Sequence, residues 1–339
     1  LGYDVNIAGH AGGGIASYLG EENFGNKTDG TQSPPQAVPG LEKYWGKDIF
    51  ATEALTLEAI QSLEKALLYG QPFFLYMAHY AIHIPINKDK RFYQKYIDKG
   101  LDPKEAAYAA LIEGMDKSLG DIMNWLEAKQ IQNNTIILFL SDNGGFATDT
   151  KWRGGELYTQ NAPLKSGKGS VYEGGIRIPM IVKYPGYSVP GTVSNVPVII
   201  EDMFPSLLEM AGIDDYKTIQ QTDGVSFVPF LKTTQKHKYE KRSLFWNYPN
   251  LWDGDGLGVG PACTIRKGDW KLIYHYDTGV KELYNLNTDI GENDNLIGVK
   301  TDIAKKLSGE LSNYLRKVKA QRPTNKNTGK LVGWPDGKE

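Results

Sequence analysis

The chain has 339 residues, 40% hydrophobic and 23% charged, a balance that excludes disorder as the main state and leaves enough length to bury a substantial core. Lys and Arg number 38 against 40 Asp and Glu, a net charge of -2, so no basic field exists to attract nucleic acid and none is expected as a partner. The one cysteine, Cys263, excludes an internal disulfide framework and a multi-cysteine metal site, and the longest apolar runs are strand-sized, far short of a membrane span.

Residues 1–50 are rich in Gly, Pro, Asn and Thr and read as loop, including the run Ala11-Gly12-Gly13-Gly14-Ile15. From Thr52 to Leu68, Leu55, Ala59, Ile60, Leu63 and Leu67 recur at helical spacing, with Thr52 as N-cap and Gly70 just past the end. Phe73 to Ala78 is a continuous apolar run of the kind buried on both faces of a parallel sheet, and it leads into His79-Tyr80-Ala81-Ile82-His83. The order then repeats. Leu111, Met115, Leu119, Ile122 and Leu126 mark a second helix, and Thr135 to Leu140 a second buried strand that ends in Ser141-Asp142-Asn143-Gly144-Gly145. Helix, apolar strand and polar loop twice over predict an α/β sheet with both polar loops at strand ends, where sites form.

A third strand is expected at Ile178 to Tyr184, and a capped helix from Asp202 to Ala211. After about Tyr239 the pattern changes to alternating segments, Cys263 to Arg266, Trp270 to Tyr274 and Glu282 to Tyr284, separated by the turn sequences Lys267-Gly268-Asp269 and Asp277-Thr278-Gly279. A helix near Asp302 to Lys319 closes the chain. The expected organisation is therefore a large α/β domain over residues 1–238 and a small antiparallel α+β subdomain over 239–339.

Three loops carry residue types suited to chemistry. Asp142 beside Asn143 offers one anionic and one neutral hard oxygen to a cation such as Ca2+, although the same letters also make an Asx turn. His83, with His79 nearby, is placed to act as a general acid or to hold an oxyanion, or else is a structural histidine bonded to a carbonyl. Lys168, between Gly167 and Gly169, can project its ammonium toward a tetrahedral anion beside backbone amides; a solvated loop is the other reading. The segment is not a Walker loop, because Gly169 follows the lysine where Ser or Thr is required.

In this order, Tyr80-Ala81-Ile82-His83-Ile84-Pro85, Ser141-Asp142-Asn143-Gly144-Gly145, Pro163 to Gly169 with Tyr172 to Pro179, and Ile265-Arg266-Lys267-Gly268-Asp269-Trp270-Lys271-Leu272 resemble the type I, formylglycine-dependent sulfatases of the alkaline phosphatase superfamily. Asp202-Met203-Phe204-Pro205, Asp223-Gly224-Val225-Ser226 and Glu282-Leu283-Tyr284-Asn285-Leu286 extend the resemblance over nearly the whole chain. It implies an alkaline-phosphatase-like mixed sheet sandwiched by helices, present incompletely, with the small C-terminal subdomain. It implies a sulfuric ester hydrolase acting on a sulfated saccharide or aryl sulfate. It casts Asp142 and Asn143 as calcium ligands, Lys168 as a contact to a sulfate oxygen, and His83 as the histidine that bonds the ester and assists departure of the alcohol.

The departures from the family are specific. Its nucleophile, a formylglycine made within Cys/Ser-x-Pro-x-Arg, has no counterpart here: Ser33-Pro34-Pro35-Gln36-Ala37 lacks the arginine, and Cys263 lacks the proline and reads as a strand residue. The paired aspartates and the Gly-Lys-Trp-His segment are missing as well. The expectation is that the sequence lacks the family's N-terminal part, that calcium would be completed by ligands outside this chain, and that the chain alone is inactive and prone to aggregate. No signal peptide is seen in these residues, while exported bacterial relatives imply a periplasmic or secreted full-length protein. His10 and Asn247 resemble places where family members contact the sugar, with core packing of the nearby aromatics as the plainer reading. Two other functions stay open: a phosphodiesterase or phosphonate monoester hydrolase on the same scaffold, and a non-catalytic sulfated-glycan binder.

Overall fold

Two long helices organise the first half of the chain, and each begins where a donor or acceptor outside the helix satisfies its first turn. The computed structural model describes residues 2–146, 161–232, 242–251 and 256–338, and the chain divides into two units, Leu1–Thr135 and Ile136–Glu339. In the first unit, α1 (Ala51–Leu68) buries Leu55, Ala59 and Leu63. It starts earlier than the expected N-cap: the Ala51 N–H donates to the Tyr18 carbonyl at 2.7 Å, so a loop carbonyl replaces a capping side chain and Thr52 lies buried inside the helix. A short helix, α2 (Tyr93–Asp98), precedes α3 (Pro103–Ala128). Asp102 caps α3 by accepting from the N–H groups of Lys104 and Glu105 at 3.0 and 3.2 Å, with Pro103 in the first turn. The Thr56 and Ser118 hydroxyls, 2.6 Å apart, join α1 to α3 inside the core.

Residues 2–50 hold no longer helix than the short 3-10 turn Gly20–Gly25. They nevertheless supply much of one core cluster: Tyr18, Phe24, Val38 and Leu41 are fully buried, packed with Phe50 and Leu111. The expected strand Phe73 to Ala78 is a correction, since no strand is present there among the described residues. A strand exists only through a paired neighbour, and the first unit provides none. The segment is without regular secondary structure, with Phe74 62% and Tyr76 69% exposed rather than buried on both faces.

In the second unit, β1 (Ile137–Leu140) pairs with β2 (Met180–Lys183), Leu138 opposite Val182. The pairing is antiparallel, as a mixed sheet allows. Among the described residues the connection holds only the single turn α4 (Glu173–Ile176), not the crossover helix that parallel strands require. Leu138, Met180 and Val182 pack on Met210, Phe227 and Phe230, the first of these from α5 (Met203–Met210). The Asp202 carboxylate makes no side-chain cap for α5; it pairs with Arg242 and accepts from the N–H groups of Val225 and Ile199.

The C-terminal sheet runs β3 (Ser243–Tyr248), β4 (Ala262–Lys267), β5 (Trp270–His275) and β6 (Lys281–Asn285), antiparallel throughout. The β4–β5 turn is made by Gly268 and Asp269, with Gly268 at φ +56, as a tight hairpin requires. Its apolar face, Cys263, Ile265, Leu272 and Leu283, is covered by Leu307, Leu311 and Leu315 of α6 (Thr301–Lys317). β3 is an addition to the expected strands. The join expected between 238 and 239 lies outside the described residues. The α/β class and the small antiparallel layer stand, while the described part of the larger sheet consists of β1 and β2. No helix among the described residues is long and apolar enough to cross a membrane.

Candidate active site

The loop after β1 is bonded directly to the glycine-rich segment that carries Lys168. The Lys168 N–H donates to the Gly145 carbonyl at 3.0 Å, and the Gly144 N–H donates to the Gly175 carbonyl at 2.9 Å. Within the loop, the Ser141 hydroxyl donates to the Asn143 carbonyl at 2.8 Å and the Asn143 carboxamide to the Gly144 carbonyl at 2.9 Å. A Cβ on Gly144 would stand 1.7 Å from the Gly174 oxygen, so only glycine lets the two backbones meet. Asp142, Asn143 and Lys168 are thus brought onto one pair of hydrogen-bonded loops, with Asp142 exposed and Asn143 half-buried.

The base of this segment is fixed by a buried charge cluster. Lys271 of β5, with no exposed side-chain surface, stands 2.9 Å from Glu173 of α4 and 2.9 Å from Glu292. The contact to Glu292 is an ion pair without hydrogen-bond alignment, and Glu292 also accepts from the Glu173 N–H at 2.7 Å. Arg266 and Arg177 lie 3.6 and 3.5 Å from Glu173. Burial pushes the Glu173 carboxyl up, but Lys271 and the two arginines outweigh it and hold it below the usual range. Glu292 faces the single Lys271, and there burial wins and raises it. Beside them Lys165 donates to the Glu292 carbonyl at 2.8 Å and sits 4.4 Å over the Tyr172 ring.

In the first unit, His83 follows the segment Phe73 to Ala78 and is oriented by backbone. Its Nδ1 is 2.9 Å from the Ile84 carbonyl; a carbonyl only accepts, so Nδ1 carries the hydrogen and Nε2 is left for chemistry. The buried Tyr18 hydroxyl donates to the His83 carbonyl at 2.9 Å. Gly14 packs closely on the His83 ring: a Cβ there would be 3.2 Å from its Cε1 and Nδ1. The same glycine run reaches His10, whose Nδ1 accepts from the Gly12 N–H at 2.9 Å and whose ring stacks on Tyr80 at 5.8 Å. Burial pushes the His79 imidazole down to about 4, leaving it neutral at physiological pH, with Nδ1 unbonded among the described residues.

Asn247 is built into the C-terminal sheet. Its carboxamide accepts from the Tyr276 hydroxyl at 2.7 Å and donates to the Gln321 carbonyl at 3.0 Å. Cys263 is a buried β4 residue whose thiol burial pushes up to about 12, which suits a core residue rather than a nucleophile. Two residues that hold these loops carry no sequence signal: Asn161, and Glu292, which meets Lys271 only in the fold. As to a cation, the oxygens of Asp142 and Asn143 fit calcium in kind but not in number. Calcium takes about six to eight oxygens, and no group of three His, Cys, Asp or Glu side chains gathers among the described residues.

The chain matches the sulfatase family model over residues 2–213 and the model of the N-sulphoglucosamine sulphohydrolase C-terminal region over residues 167–321. It is 33% identical over 296 residues to a sulfatase of Formosa agariphila, an alignment covering 80% of this chain and 51% of that protein. It is 28% identical over 250 residues to the N-acetylgalactosamine-6-sulfatase of Mus musculus, covering 74% of this chain and 43% of that one. The crystal structure of Ps i-CgsB in complex with a neocarrahexaose shares its fold, with a TM-score of 0.72 at 23% identity over 92% of this chain and 67% of that one. The chain spans about half the length of the curated relatives it matches. On these matches, the chain belongs to the sulfatase family.

Proposed function

We propose that the whole protein hydrolyses sulfate monoesters of a sulfated carbohydrate, with aryl sulfates as simple substrates. The observation that carries this reading is the hydrogen bond from the Lys168 N–H to the Gly145 carbonyl at 3.0 Å, which ties a cationic glycine loop to the loop of Asp142 and Asn143. Sulfate ester cleavage breaks a sulfur–oxygen bond and builds negative charge on the leaving oxygen. An ammonium held on fixed backbone stabilises the anion without reorganising. We assign that role to Lys168. To His83 we assign bonding of the ester and, in the imidazolium form that carries a hydrogen on both ring nitrogens, delivery of the Nε2 proton to the departing alkoxide, which leaves the neutral ring with its Nδ1–H still anchored on the Ile84 carbonyl. His10, stacked on Tyr80, is assigned to the saccharide; Asn247, engaged on both sides of its carboxamide, has the weaker claim to it.

Two parts of the chemistry are assigned outside these 339 residues: a formylglycine nucleophile and the oxygens that complete a calcium site with Asp142 and Asn143. A bound calcium would supply positive charge to the sulfate oxygens. We further propose that the protein acts in the periplasm or outside the cell, which fractionation of the native producer would check. Turnover of an aryl sulfate and an aryl phosphate by the whole protein, with and without a chelator, tests the reading. Faster sulfate hydrolysis lost on chelation is expected. Preferential phosphate ester hydrolysis would move the protein to phosphodiesterase or phosphonate ester chemistry, and saccharide binding without turnover would make it a glycan binder.

A further inference from the structure

We propose that Asn161 is the positioning residue of the Lys168 loop, tying three backbone segments to one carboxamide and so setting where Lys168 stands relative to Asp142 and Asn143. Its Nδ2 lies 3.0 Å from the Gly145 carbonyl, 3.1 Å from that of Ser166 and 3.4 Å from that of Gly174. A carboxamide has two N–H donors, so two bonds are primary and the longest is shared. The three acceptors belong to three different stretches: the loop after β1, the loop leading to Lys168, and α4. Gly145 fits the same role from the other side, because a Cβ there would be 2.4 Å from the Asn161 Oδ1. Without Asn161, three carbonyls in a half-buried place lose their shared donor. Backbone bonds from Lys168 to Gly145, Gly144 to Gly175 and Gly174 to Lys165 join the same stretches.

Asn161→Asp keeps the shape and removes the donor, placing a carboxylate against three carbonyl oxygens. The role of Lys168 rests on the sulfatase reading, so the first measurement is independent of turnover: amide hydrogen exchange of this chain, wild type against Asn161→Asp. The amides of Lys168 and Gly144 should exchange at least about tenfold faster, while those of Ile265 and Leu272 in the C-terminal sheet stay unchanged. Unchanged Lys168 and Gly144 amides would overturn the proposal. So would equal acceleration in the sheet, which marks a merely structural residue. If Asn161→Asp does not fold, Asn161→Gln, which keeps the donors but displaces them by one methylene, should accelerate the same two amides selectively, and native-like exchange would overturn the proposal. In the whole protein, Asn161→Asp should lower kcat by about 100-fold with KM within about threefold of wild type; an effect on KM alone would contradict it. Absence of turnover in the wild-type protein would remove the sulfatase reading and leave the exchange result standing.

Discussion

Replacing Lys271 with methionine leaves an unbranched apolar side chain one atom shorter and removes the ammonium, with its charge and its hydrogen bond to Glu173 at 2.9 Å. Lys271 is fully buried, and its ammonium is 2.9 Å from Glu173 and 2.9 Å from Glu292, themselves joined through the Glu173 N–H at 2.7 Å. Breaking such a buried cluster by removing one partner costs about 3–5 kcal/mol, because the charges left behind are uncompensated. The loss has a definite pH dependence. In wild type, Glu173 is depressed, so its contribution is present above its unfolded value and fades as pH falls; Glu292 is raised and contributes in the opposite sense. In Lys271→Met both carboxyls lose their nearest cation and are raised, so the variant is least unstable at low pH and loses stability as pH rises through their folded values. Urea unfolding of wild type and variant at several values between about pH 5 and 8 measures this. The deficit should widen toward pH 8, and Glu292→Gln added to Lys271→Met should recover part of it. A deficit below about 1 kcal/mol at pH 8, or one independent of pH, would refute the reasoning.

Gly144→Ala would place its methyl 1.7 Å from the Gly174 carbonyl and should cost about 3 kcal/mol or more, read by the same unfolding assay; a neutral effect would mean that the two loops do not pack as described. The Cys263 thiol, buried and raised to about 12, should stay unreactive toward a disulfide reagent at pH 8 in the native chain and react fully once unfolded. Burial pushes Glu282 up, but His275 at 3.5 Å and the hydroxyls of Tyr172 at 2.7 Å and Tyr284 at 3.1 Å bring it down to about 2. Its contribution, about 2–3 kcal/mol after solvent screening, is present above the ordinary carboxylate value and lost as pH falls toward 2. Glu282→Gln should therefore flatten that part of the acid-unfolding curve.

Helices were legible in the sequence because their signal is internal. The spacing of Leu55, Ala59 and Leu63, and of Leu111 through Leu126, specifies a face whatever surrounds it. Strands depend on a neighbour, and there the reading divided. Cys263 to Arg266 and Trp270 to Tyr274 carry their own hairpin turn and form strands, Phe73 to Ala78 has no paired strand among the described residues of its unit, and Phe245 to Tyr248 becomes a strand only through β4. Of the residues singled out for chemistry, Asp142, Asn143 and Lys168 occupy bonded loops of one unit, while His83 and His10 flank one glycine run in the other. Hidden were the residues whose role is to hold others. Asn161 and Glu292 act through partners distant in sequence, and no periodicity or spacing announces a bond to a carbonyl far along the chain.

The most direct test of the account is the rate at which the whole protein hydrolyses an aryl sulfate at saturating concentration, wild type against Lys168→Ala. Measurable turnover in wild type and a fall in kcat of about 100- to 1,000-fold in the variant are the predicted results, the effect of removing one preorganised charge from a developing anion. No sulfate hydrolysis by the intact wild-type protein, or a Lys168→Ala variant that turns over at the wild-type rate, would contradict it.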